Sequence, residues 1–193
     1  TKKLWPPLSG IVIELMQSAI KNFEHGNVEP SIKLAEKAIR NSKKHPEALN
    51  LLGGIYLRIR KYSKAIFYFE KAHNKDLDNV KIKLNLGEAY CVQGNYKKGV
   101  KIYEEVLEIN PENKDVLINL GSALVRMGNS VKAKNIFERV LKIDSCSVSA
   151  LINMSILENQ NGNKAIGEKL ARKVLLLEPE NGEVYYNLAT SKR

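Results

Sequence analysis

Apolar residues in this chain recur at steps of three and four, the period of a helix buried along one face. The whole pattern then returns every 34 residues. Leu84-Asn85-Leu86-Gly87, Ile118-Asn119-Leu120-Gly121 and Ile152-Asn153-Met154-Ser155 show the return most clearly. The same frame extends back to Asn50-Leu51-Leu52-Gly53 and forward to Tyr186-Asn187-Leu188-Ala189, with no insertion or deletion from Val12 to Arg193. Units therefore start at Val12, Pro46, Val80, Lys114, Val148 and Gly182. Each full unit predicts two helices of about 12 to 14 residues, roughly 20 Å long at the α-helical rise. The expected architecture is all-α, with about eleven helices in five hairpins (12–45, 46–79, 80–113, 114–147, 148–181) and a last single helix, 182–193. Residues 1–11, with Pro6-Pro7, read as an extended lead-in. Residues 12–193 read as one domain.

Side-chain size alternates along the unit in a way that packing explains. The eighth position is small throughout: Ala19, Gly53, Gly87, Gly121, Ser155, Ala189. The twentieth is small again: Ser31, Ala65, Gly99, Ala133, Gly167. Aromatic rings fill the twenty-fourth in the middle units, at Phe69, Tyr103 and Phe137. Small positions let two helices approach, and large ones fill the groove between them.

The breaks between helices agree with this frame. Gly26, Gly94, Gly128 and Gly162 stand at the fifteenth position, where a first helix ends in a left-handed residue. Asn27, Asn95, Asn129 and Asn163 follow and are predicted to cap the second helix. Pro30 falls in a first helical turn, where proline is tolerated, while Pro111 and Pro179 separate units.

With these positions in place the sequence resembles the tetratricopeptide-repeat family from Val12 to Arg193. The match is strongest in the units starting at Pro46, Val80 and Lys114, as at Leu86-Gly87, Tyr90, Gly94, Tyr96, Tyr103 and Pro111. The first unit (Ser18, Asn22, Lys43) and the fifth (Glu158, Lys164, Ala171) depart from the pattern, as terminal repeats often do. The resemblance implies a right-handed α-α superhelix, a solenoid whose first helices line a concave groove. It implies a scaffold that binds a partner protein or an extended peptide, acidic ones included.

Asn85, Asn119, Asn153 and Asn187 occupy the sixth position, mid-way along first helices. Asparagine is a poor helix-interior residue, so four in register ask for a cause. Neighbouring helices lie about 9–10 Å apart, and three residues of extended peptide span the same distance. A side-chain amide both donates and accepts, so a row of them could hold a peptide backbone without reading its side chains. The row resembles the asparagine ladder in the repeat superhelix of O-linked N-acetylglucosamine transferases. In the Pro46 unit Leu51 takes the sixth position and Asn50 is one place off, so the row is expected to stop there. The competing reading is that these amides bond a neighbouring helix and set the stacking. Arg58, Arg126 and Lys81 stand at other positions of the expected concave face. They would meet acidic side chains of a ligand, or serve only as solvated cations. The carboxylate clamp by which some family members grip chaperone C-termini is absent, since the fifth position reads Asn50, Leu84, Ile118, Ile152 and the ninth Gly54, Glu88, Ser122, Ile156.

Composition narrows the function further. The 193 residues are 44% hydrophobic, enough for an ordinary core. No apolar run is long enough to span a membrane. The start, Thr1-Lys2-Lys3-Leu4-Trp5, has neither an initiator Met nor signal-peptide character, and reads as a cut inside a longer chain. Cys91 and Cys146 have no metal-ligand spacing, and a reducing cytoplasm is the expected setting. His25, His45 and His73 lack ligand partners at metal-binding spacing, so neither a metal nor a cofactor is expected. No phosphate-binding loop or nucleophile–base set appears, and the chain is not read as an enzyme. Two alternatives remain open. One is a substrate-recruiting arm of a larger glycosyl- or sulfotransferase, suggested by Tyr185-Tyr186-Asn187-Leu188-Ala189. The other is an RNA-binding helical repeat, suggested by the net charge of +10. The strict 34-residue period and the lack of a basic stripe interleaved with aromatics count against RNA.

Overall fold

The computed structural model describes residues 5–191, apart from a few side chains of the last helix. Among the described residues the fold is all-α, with eleven helices. They are α1 (Gly10–Glu24), α2 (Val28–Asn41), α3 (Pro46–Arg58), α4 (Tyr62–His73), α5 (Val80–Val92), α6 (Tyr96–Ile109), α7 (Lys114–Arg126), α8 (Ser130–Ile143), α9 (Val148–Gln160), α10 (Lys164–Leu177) and α11 (Gly182–Ser191). Helices α3, α5, α7, α9 and α11 begin at Pro46, Val80, Lys114, Val148 and Gly182. Helix α1 begins at Gly10, two residues before the expected boundary, because Ser9 already holds the extended conformation of a residue preceding a helix (φ −67°, ψ 154°). The chain forms two compact units, Thr1–Ile102 and Tyr103–Arg193.

In the first unit α1 packs on α2 and α3 on α4, and α5 lies against α3 and α4. The core joins Ala19, Leu52, Tyr56, Phe69, Leu86 and Tyr90. In the second unit α7 packs on α8 and α9 on α10, with α9 beside both α7 and α11. Leu117, Val140 and Ala150 form one cluster there; Leu151, Ile152, Ala171, Val174 and Val184 form another.

What holds each hairpin is an exchange of volume between the eighth and twenty-fourth positions. A methyl group on Gly53 would meet the Phe69 ring at 2.6 Å, and one on Gly121 would meet Phe137 at 2.5 Å. Both rings are fully buried. Where the twenty-fourth residue is only Ala35 or Ala171, the eighth grows to Ala19 or Ser155. Two serines, one at the eighth position and one at the twentieth, satisfy themselves across the close approach of these two small positions. Ser31 Oγ donates to Ala19 O and Ser155 Oγ donates to Gly167 O, each at 2.7 Å, so the same pair of positions is bridged from opposite sides.

The four predicted left-handed glycines have positive φ, from 74° to 92°. The equivalent place in the Pro46 unit is Arg60, which is forced to φ 61°. The capping expectation holds for two of four asparagines. Asn95 and Asn129 accept from Lys98 N and Lys132 N, both at 3.4 Å. Asn27 makes no such bond, and Asn163 turns its amide to Glu158 instead. Asn79, Asn113 and Asn181, the last residues of their units, cap α5, α7 and α11 at 3.2 Å. The lead-in is pinned rather than loose. Trp5 Nε1 donates to Lys75 O at 3.1 Å, its ring meets His45 edge-on at 5.3 Å, and Leu8 joins Val12, Ala38 and Ala48.

Two stability tests follow from this packing. In a helix alanine is favoured over glycine by about 1 kcal/mol, yet overpacking costs about 1–3 kcal/mol. Gly121→Ala should therefore lose a net of up to about 2 kcal/mol in urea unfolding, and adding Phe137→Leu should recover part of it. Arg60→Gly should raise the urea midpoint, gaining about 1 kcal/mol, because a left-handed arginine carries a steric cost that glycine lacks.

Candidate functional site

The sixth-position amides arise from helices whose neighbours are other first helices, and the structure shows how far each is already engaged. Asn85 is half-buried on α5. Its Nδ2 donates to Asn50 Oδ1 on α3 at 2.9 Å, which leaves its own Oδ1 and the Asn50 Nδ2 open. Asn50 thus continues the row that the sequence frame ended one unit later. The reach of a side-chain amide exceeds the offset of one residue along the helix.

In the second unit Asn153 on α9 donates from Nδ2 to Ser149 O at 2.8 Å. Ser122 Oγ on α7 sits 3.3 Å from Asn153 Oδ1 and 2.9 Å from Ile118 O. Its single proton serves one acceptor at a time. Asn119, half-buried in the middle of α7, has no hydrogen bond among the described residues. Asn187 is half-buried on α11. Asn85 and Asn153 thus bridge to a neighbour or to their own helix, while Asn119 does neither among the described residues. These bridges use part of each amide's capacity and leave open the functions noted above.

Arg58, Arg126 and Lys81 are all exposed, and none forms an ion pair among the described residues. Arg58 and Arg126 are the last residues of α3 and α7, beside their helices' carbonyl ends. Lys81 stands in the first turn of α5.

Charge is more tightly managed elsewhere on these helices. Glu158 takes the eleventh position of its unit, where Tyr56, Tyr90 and Leu124 stand in the others, and is 1% exposed. It is paired with Lys134 of α8 at 2.7 Å and accepts from Asn163 Nδ2 at 2.7 Å. The Lys134 bond, then that from Asn163, holds the Glu158 carboxyl below its ordinary range. Its partner bond raises Lys134. In the first unit Tyr90 donates its hydroxyl to Glu70, and burial, then this bond, pushes its pKa up to about 12. Burial likewise raises Tyr56 and Tyr68, whose rings stack at 5.6 Å. Sequence reasoning marked Glu158 only as a departure from the repeat. Its partner Lys134, the twenty-first residue of the preceding unit, was the available signal.

Among the described residues no group of three or more His, Cys, Asp or Glu could hold a metal ion, and no helix is long and apolar enough to cross a membrane.

Comparison with known proteins gives these geometries a context. A family profile described as tetratricopeptide repeat matches residues 79–145, and one described as anaphase-promoting complex, cyclosome, subunit 3 matches residues 24–106. A search of curated proteins finds no match. Among solved structures, a tetratricopeptide-repeat protein from Parabacteroides merdae superposes with a TM-score of 0.82 at 22% identity, over 95% of this chain and 73% of that one. A thermophilic tetratricopeptide-repeat protein from Thermus thermophilus gives 0.75 at 15% identity, over 94% and 98%. YrrB, a tetratricopeptide-repeat protein with an unusual peptide-binding site, gives 0.69 at 18% identity, over 91% and 90%. At these identities the solved structures establish the fold.

The buried Glu158 supplies a pH test. Its folded pKa lies below its ordinary value of 4.5. As pH falls the unfolded chain takes the proton first. The stability this group contributes is full above that ordinary value and is lost as pH falls through the lowered folded one. The difference in urea midpoint between the native chain and Glu158→Gln should be largest near about pH 7 and shrink toward about pH 3. A difference constant with pH would show that the pair contributes no charge-dependent stability.

Proposed function

We propose that this chain is a binding module of tetratricopeptide-repeat type that holds an extended segment of a partner protein against its first helices, a reading supported by the family profiles matched over residues 79–145 and 24–106. The observation that carries this reading is Asn119, a half-buried amide in mid-helix with no hydrogen bond among the described residues. Its polar atoms are not shut away from water, so they are open to a peptide backbone, which offers both the donor and the acceptor an amide takes. Asn153 Oδ1, shared with Ser122, is the second group of this site in the same unit. In the other unit Asn85 Oδ1 and Asn50 Nδ2 present the same chemistry as a bonded pair. Asn187 on α11 completes the set. Arg58, Arg126 and Lys81 are exposed cations suited to acidic side chains of such a ligand. That YrrB carries a peptide-binding site on the same fold supports the reading. The reading assigns no catalytic step to this chain and sets it in a reducing cytoplasm, where cysteines such as Cys91 and Cys146 stay as thiols.

The test begins with peptides selected from a random display library on the purified chain. Replacing Asn119 and Asn153 by Ala together should weaken the selected peptides by about 1–3 kcal/mol, roughly 5- to 150-fold in Kd by calorimetry. Unchanged affinity in the double variant, with fold retained by circular dichroism, would remove the amides from the recognition surface.

A further inference from the structure

The net charge of the chain is not shared between its two compact units. Residues 1–102 hold nineteen Lys and Arg against nine Asp and Glu, a balance of +10, and residues 103–193 hold twelve against twelve, a balance of zero. Within the first unit the excess is local. Residues 48–69 and 89–103 contain no Asp or Glu, and they carry Arg58, Arg60, Lys61, Lys64, Lys97, Lys98 and Lys101. These stretches meet at one edge, where α3 turns into α4 and α5 into α6. Gln93 Nε2 from the second turn donates to Ser63 Oγ beside the first, at 3.3 Å. An open cavity of about 390 Å³ lies there, lined by Arg60, Lys61, Tyr62, Ser63, Lys64 and Gln93.

We propose that this turn edge of the first unit is a second docking surface, apart from the amide-bearing first-helix face, and that its partner is an acidic protein segment. Arg60, Lys61 and Lys97 are exposed and form no ion pair among the described residues, so their charge is uncompensated. Like charges gathered at one edge repel one another, and an anionic partner relieves that repulsion as well as adding attraction.

The aromatic rings at this edge decide between two polyanions. Single-stranded nucleic acid is held by bases stacked on open rings beside the cations. Here Tyr56 and Tyr90 are buried, and Lys64 and Lys98 lie over them at 5.2 and 4.9 Å. The Tyr90 hydroxyl is taken by Glu70. These two rings are covered by the cations themselves, which leaves the half-buried Tyr62 as the one ring lining the cavity. What remains outward is flexible positive charge, which suits carboxylates on a mobile chain.

The experiment titrates the whole chain with a fluorescent twelve-residue peptide of alternating Glu and Ser, and separately with a twelve-nucleotide oligothymidine. Arg60→Gln, Lys61→Gln and Lys64→Gln together should weaken the peptide at least about tenfold at low salt. An equal charge loss in the other unit, Lys132→Gln, Lys142→Gln and Lys169→Gln, should change it by less than about twofold. Equal weakening by both sets would mean that only mean charge matters, and would overturn the proposal. Tighter binding of oligothymidine than of peptide would overturn it too, in favour of nucleic acid. Should the first triple variant fail to fold, the pair Lys61→Gln and Lys97→Gln is expected to weaken the peptide about threefold, and no change would count against the site. Library peptides whose binding depends on Asn119 and Asn153 should bind the Arg60→Gln, Lys61→Gln and Lys64→Gln variant as they bind the native chain, so the two surfaces stand or fall separately.

Discussion

Close approach of the two helices in each hairpin is the constraint on which the rest depends. It is met at a pair of small residues, and the size of the eighth position is set by what occupies the twenty-fourth. Glycine stands opposite phenylalanine, and alanine or serine stands where the ring is missing. Interiors are packed near crystal density, so this trade leaves little room for independent change at either place. Each hairpin therefore presents its first helix in a similar pose, and a side chain at a given position recurs at a similar point on each first helix.

That regularity makes polar positions informative. A lone asparagine in a helix can be absorbed by chance contacts, but a repeated one needs a repeated cause. The structure supplies two causes at once. Asn85 with Asn50, and Asn153 with Ser122, bridge successive first helices. Asn119 bridges nothing. The amides are thus partly structural, and the capacity they retain is what a ligand would use. Glu158 illustrates the opposite resolution: a carboxylate placed in an aromatic position, buried and fully answered by Lys134 and Asn163.

Periodicity made the helices and their order legible, because a 34-residue repeat samples each position several times and averages out the exceptions. Unit starts and left-handed turn glycines were readable for the same reason. Cap identity was not, since Asn27 and Asn163 share a position with Asn95 and Asn129 yet differ in which bond is nearest. Interhelix bridges were also hidden. They depend on reach across 2.9–3.3 Å between residues about 30 apart, which frame counting does not measure. A net charge of +10 counted over the whole chain likewise hides that the excess falls within residues 1–102.

The pinning of Trp5 has a consequence for anyone following this molecule by light. It is the single tryptophan of the chain, and its indole is bonded to Lys75 O, seventy residues away, against the edge of His45. Its emission therefore monitors the seam between the lead-in and the turn from α4 to α5. Residues 103–193 contribute no tryptophan signal of their own to a curve recorded at that wavelength, and following them directly needs a backbone signal or a tyrosine probe.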